Sequence, residues 1–146
     1  MSIDTVSILR NGLREQESVL VVVDEVLIRM VIADYLRQCG YRVIEATNAD
    51  EAIAVLQHEQ ARIDIVFTTV EMPGARDGFE LSRWVRKNRP GLKVVLAGSL
   101  SRAANSAGDL CEQGPHKKKP YDTGMIVTQV NQLLAQVKRK RRRTGL

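Results

Sequence analysis

Long hydrophobic runs are missing from this 146-residue chain; the longest purely apolar stretches are a few residues, such as Val19 to Val23, and no transmembrane helix is predicted. The first segment, Met1 to Glu17, scatters Asp4, Arg10, Arg14, Glu15 and Glu17 among its apolar residues and lacks the unbroken apolar core of a secretory signal. A cytoplasmic location is the expectation. Cysteine is scarce as well: Cys39 and Cys111 form no metal-ligand spacing, and in a reducing compartment they are expected as two small hydrophobes rather than a bridge or a nucleophile. What is present is ordinary for a globular chain, 44% hydrophobic and 27% charged residues, which excludes collagen-like, membrane-spanning and wholly disordered classes. One domain of this size buries about two-thirds of its unfolded surface without staples.

The net charge of +5 resembles a nucleic-acid signature until it is located. Lys138, Arg139, Lys140, Arg141, Arg142 and Arg143 supply six positive charges in one run, and the remainder is close to neutral at −1. Any argument from basicity to function therefore concerns that run alone.

Along the chain, short β-branched runs alternate with amphipathic stretches. Val19 to Val23 is too continuously apolar to have a wet face and predicts a strand buried on both sides, the usual setting of parallel pairing. Ile28, Val31, Ile32, Tyr35 and Leu36 then draw one stripe down a helix that Gly40 ends. Arg42 to Glu45 is a second strand, and Asn48 with Glu51 forms a capping box for a second helix through Leu56. Ile63 to Thr68 is the third strand; a helix from about Phe79 stops at Asn88, before Pro90-Gly91. Lys93 to Ala97 is the fourth strand, with a weaker helix from Ser101 to Cys111. A fifth strand at His116 to Lys119 has poor β propensity and depends on context. Asp122 caps a last helix carrying Ile126, Val130, Leu133, Leu134 and Val137. Five βα units predict a doubly wound, three-layer α/β/α sandwich, whose ligands bind beyond the carboxyl ends of a parallel sheet. Asp24, Glu25, Thr69, Gly98 and Lys119 fall at those ends.

At these positions the chain resembles the receiver domain of bacterial response regulators, the flavodoxin-like module of two-component signalling. The resemblance runs from about Ser18 to Val137. It rests on Val19-Leu20-Val21-Val22-Val23-Asp24-Glu25, on Asp64 to Gly74 with Asp77-Gly78, on Lys93 to Ser99, and on Lys119-Pro120-Tyr121. It implies a five-stranded parallel sheet in the order 2-1-3-4-5. It also implies phosphoryl transfer from a phosphohistidine of a sensor kinase to an aspartate ending the third strand. There, magnesium is held by that aspartate and an acidic pair after the first strand. A hydroxyl after the fourth strand and a lysine after the fifth relay the change to the face formed by the fourth helix, fifth strand and fifth helix.

Carried over position by position, the pattern is broken. Thr69 holds the acceptor position, Val23 the first acid, and Gly98 the hydroxyl position, with Ser99 one residue late; Asp24 and Lys119 are retained, beside Glu25 and Glu71, and His116 falls on the aromatic switch position. A threonine hydroxyl is neutral, needs a positioned base to attack, and yields a stable ester rather than a labile mixed anhydride. Magnesium prefers hard anionic oxygens, and Asp24 with Lys119 leaves no net negative charge to attract it. Losing two anions beside a divalent ion removes several kcal/mol, at about 4 kcal/mol per pair at 4 Å and an effective dielectric near 20. No catalytic residue and no cofactor are therefore expected, with magnesium at Asp24 weak or absent.

The expectation is a degenerate receiver over residues 18–137, with an extension at 1–17 and a basic tail at 138–146. It would act without phosphorylation, through a protein partner such as a histidine kinase, a phosphotransferase, another regulator or a second copy, with His116 and Tyr121 on the partner surface. The Asp24–Lys119 pair reads either as the remnant of a switch or as a plain structural ion pair. An alternative function is nucleic-acid or anionic-surface binding through Lys138 to Arg143. Against it, nothing aromatic interleaves the charges, and cations at a helix end also satisfy its dipole. A true receiver with a displaced acceptor is the third reading.

Overall fold

A computed structural model describes residues 16–58, 60–113 and 123–143. The elements alternate: β1 (Ser18–Val22), α1 (Val26–Gln38), β2 (Arg42–Ala46), α2 (Ala49–Gln57), β3 (Ile65–Thr69), α3 (Gly78–Asn88), β4 (Lys93–Ala97), α4 (Leu100–Gln113) and α5 (Thr123–Arg143). Every pairing is parallel, with Val19 level with Val43 and Ile65, and Ile65 level with Lys93. Among the described residues the sheet has four strands in the order β2-β1-β3-β4, not five. The expected fifth strand, His116 to Lys119, and the expected cap Asp122 lie outside the described residues.

Side chains at the helix entrances fix where the chain turns back over the sheet. Asn48 Oδ1 accepts from the Glu51 N–H at 2.8 Å, Asp77 Oδ1 from the Glu80 N–H at 2.9 Å, and Ser99 Oγ from the Arg102 N–H at 3.2 Å. Each satisfies a donor that the first helical turn would otherwise leave open. Gly40 leaves α1 in the left-handed region, at φ 99°.

β1 is buried on both faces and divides the interior. Val19 and Val21 point into one core with α1, α4 and α5; Leu20 and Val22 point into another with α2 and α3. This period-two split gives three layers and is why the strand carries no polar residue between Val19 and Val23.

One expectation is overturned inside the first core. Cys39 and Cys111 are joined as a disulfide, with Cα atoms 5.5 Å apart and no solvent exposure. They are small and buried, as read, but the stripes of α1 and α4 bring their last turns together across a separation of 72 residues. That proximity belongs to tertiary packing and has no local signal.

α5 runs opposite to α1 and α4. Its first turns, Gly124 to Gln132, line a groove with Val31 to Gln38 of α1, whereas Leu134 and Lys138 line the cleft at the carboxyl ends of the strands. Ile126 and Val130 are buried, and Leu133 and Leu134 pack against the same core. The helix then continues through the basic run to Arg143.

Candidate functional site

The carboxyl ends of β1, β3 and β4 open on a cleft of about 430 Å³. Of the residues singled out from sequence, Asp24, Thr69, Glu71 and Ser99 line it together. Met72, Pro73, Leu100, Ser101, Leu134 and Lys138 complete the lining. Thr69 is the last residue of β3, and its register beside Ala97 sinks it to 1% exposure. Its Oγ1 donates to the Glu71 carbonyl at 3.5 Å, a long bond that keeps the hydroxyl in the turn.

The two neighbours of Asp24 have other tasks. Val23 is wholly buried among the residues that β1 presents to α1, so its side chain belongs to the core. Glu25 caps α1, its carboxylate accepting from the Leu27 N–H at 3.4 Å. The Val23 carbonyl accepts from Arg29 at 2.9 Å, and the same guanidinium pairs with Glu45 at 3.3 Å. Arg29, only 12% exposed at its side chain, thus clamps the end of β1 to β2. Sequence reading passed over this arginine because its partners lie 6 and 16 residues away.

Gly98 is exposed at the rim, and a β-carbon there would find only Arg102 Cδ, 3.9 Å away. No steric demand explains this glycine. Ser99 and Ser101 bring their hydroxyls within 3.1 Å of each other at the entrance to α4. Lys119, His116 and Tyr121 lie outside the described residues, so neither reading of the Asp24–Lys119 pair is placed by the structure. The sequence assigns Lys138 to the basic tail, whereas the structure puts it on the cleft. A signal was available, since Ile126, Val130, Leu134 and Lys138 follow one another at i, i+4 and share a helix face. The direction in which the helix docks was not readable.

Chemically, the cleft offers two carboxylates, three hydroxyls and one ammonium group. Among the described residues, no three His, Cys, Asp or Glu side chains come together in a metal-binding group. The donor set is thin for magnesium: the cleft offers two carboxylates, Asp24 and Glu71, while Glu25 is engaged as a cap and the hydroxyl of Thr69 is a neutral ligand. The described histidine, His58, sits exposed at the C-terminal end of α2, the wrong place to serve as a base for Thr69. Trp84 is half-buried against the second core.

Known proteins agree with this architecture. The sequence model of the response regulator receiver domain matches residues 19–131. The transcriptional regulatory protein ResD of Bacillus subtilis is 31% identical over 119 residues, which are 82% of this chain and 48% of ResD. The sensor kinase CckA of Brucella abortus is 31% identical over 120 residues, 80% of this chain and 12% of the kinase. The chain spans about half the length of the first curated relatives it matches. Among solved structures, the response regulator TrrA of Thermotoga maritima in complex with Mg(2+)-BeF is 30% identical with a TM-score of 0.51, covering 66% of this chain and 79% of TrrA. The Vibrio cholerae chemotaxis protein CheY4 is 25% identical with a TM-score of 0.54, covering 80% and 98%. A parallel sheet between two helical layers, with its cleft at the strands' carboxyl ends and the receiver sequence pattern across 19–131, places this chain in the response regulator receiver domain family of two-component signalling.

Proposed function

We propose that this domain is a pseudo-receiver, a non-enzymatic module that works in two-component phosphorelay signalling by binding another protein without being phosphorylated. The observation that carries the reading is Thr69, a buried alcohol at the end of β3 where the family's pattern has its acceptor carboxylate. Phosphorylating it requires removing a proton from a neutral hydroxyl that donates to the Glu71 carbonyl, and the product would be an ester rather than a labile mixed anhydride. Val23, fully packed in the core, supports the same conclusion for the cation site, and magnesium is expected to bind weakly or not at all.

TrrA has been solved in complex with the histidine kinase ThkA, a structure to which this chain is 32% identical with a TM-score of 0.50. By that likeness the partner is a histidine kinase, a phosphotransferase or another regulator in the cytoplasm. The expected contact is the face built by α4 and α5. A second copy of the chain is the other occupant that face would suit.

The test is to incubate the full chain with magnesium and a small phosphodonor such as acetyl phosphate, and to follow its intact mass. No adduct is expected, and no magnesium-dependent rise in Tm. An adduct of one phosphoryl group, either on Asp24 as an acyl phosphate cleaved by hydroxylamine or on Thr69 as an ester that resists it, would overturn the reading.

A further inference from the structure

We propose that the C-terminal end of α5 is a docking site for the phosphate backbone of duplex nucleic acid. The inference is independent of whether the cleft is phosphorylated. Its first ground is where the charge lies: six cations in succession from Lys138 to Arg143, against a remainder of opposite sign. Its second ground is that this run is not a loose tail. The backbone is helical through Arg143, so successive residues of the run rise by about 1.5 Å each, and less chain entropy is lost on meeting a ligand than for an extended tail.

Self-repulsion makes this an expensive way merely to end a helix. α5 has no acidic residue from Thr123 to Arg143, so its cations have no carboxylate three or four residues away within the helix. The helix dipole is satisfied by one or two cations in the last turn, fewer than the six present. Lys138, Arg139 and Lys140 are exposed, and Arg102, exposed in the first turn of α4, adds a cation at the same end of the sheet.

The composition of the run selects among polyanions. No aromatic residue occurs anywhere in α5, which removes the stacking that single strands exploit. No apolar residue follows Val137 within the helix, so nothing would insert into a bilayer. What remains is regularly spaced, sequence-indifferent contact with phosphates, the mode a duplex backbone offers.

The experiment is fluorescence anisotropy of the full chain with a labelled 20-base-pair duplex of arbitrary sequence, from 50 to 200 mM salt. Binding at 50 mM is expected, weakening about 500-fold over that range, as about five neutralised phosphates imply at 0.9 per phosphate in the logarithmic slope. The triple variant K138Q/R139Q/K140Q should lower that slope by about 3 while keeping the wild-type circular dichroism. A second triple variant, R83Q/R86Q/K87Q, removes the same charge from exposed positions on α3 and should leave the slope unchanged. Absence of salt-dependent binding at 50 mM would overturn the proposal. So would equal losses in both variants, tighter binding of a single strand of the same length, or binding to phosphatidylserine vesicles but not to the duplex.

Discussion

Gly78 rests directly on the backbone of Thr69. Its N–H donates to the Val70 carbonyl at 2.8 Å, and a β-carbon at position 78 would overlap the Thr69 carbonyl oxygen and lie 2.9 Å from Val70 Cα. The first turn of α3 can therefore reach the end of β3 only through a residue without a side chain. This contact holds the floor of the cleft, because Thr69 closes β3 and Asp77, next to Gly78, caps α3.

Gly78→Ala is accordingly expected to cost about 1–3 kcal/mol, the usual range for forcing a methyl group into a packed interior. Urea unfolding of the two proteins measures it through the shift in midpoint at constant m-value. A change below about 0.5 kcal/mol would show that α3 can lift away from β3 freely.

Thr69 itself should respond in the opposite way. Its methyl group is buried while, among the described residues, its hydroxyl makes only the 3.5 Å contact with the Glu71 carbonyl. Thr69→Val keeps the shape and loses that weak bond, so a cost under about 1 kcal/mol is expected. A loss of 2 kcal/mol or more in the same urea experiment would mean that the hydroxyl holds the turn after β3 together.

The disulfide gives a third expectation. Cys39 follows α1 and Cys111 lies in the last turn of α4, and closing a loop of 72 residues restricts the unfolded chain by about 4 kcal/mol in the chain-entropy account. Reduction, or the double variant C39A/C111A, should lower stability by about 2–4 kcal/mol. Alkylation under denaturing conditions should label no thiols in protein purified without reductant and two after treatment with a phosphine. Two labelled thiols in the untreated protein would show that the pair is reduced at its source, as a cytosolic thiol pool favours.

Most of the fold was legible because it is written in local periodicity. The strand at Lys93 to Ala97 was read with its observed limits, and the caps at Asn48 and the stop at Gly40 were visible as residue types in fixed positions. β1 ended one residue earlier than read, which moved Val23 from the strand to its exit. What escaped was everything decided by how finished elements dock. The disulfide and the Arg29 clamp join residues whose proximity depends on the packed fold. The arrival of Lys138 at the cleft depends on the direction of α5, and a stripe with a period of 3.6 looks the same read from either end. The cleft residues Asp24, Thr69, Glu71 and Ser99 were found because a parallel sheet gathers its functional positions at one edge, whatever stands in them.

Tyr41 supplies a pH dependence that can be followed from cause to measurement. The ring is buried between α1 and β2, and its hydroxyl donates to the Leu110 carbonyl of α4 at 2.7 Å. Burial, helped by the negative charge of Glu17, raises its pKa from 10.0 to about 12. The folded protein thus holds the phenolic proton more tightly than the unfolded chain does. Between pH 10 and pH 12 the unfolded state has lost that proton and the folded state has kept it, so stability falls as pH rises. The contribution is fully present below pH 10 and amounts to about 2–3 kcal/mol, at 1.36 kcal/mol per unit of pKa difference. Urea midpoints measured from pH 9 to pH 11.5 should therefore decline in wild type. Tyr41→Phe should flatten that decline while losing about 1 kcal/mol at pH 8, where the hydrogen bond to Leu110 is intact in wild type. An identical decline in both proteins would assign the alkaline instability to the lysines instead.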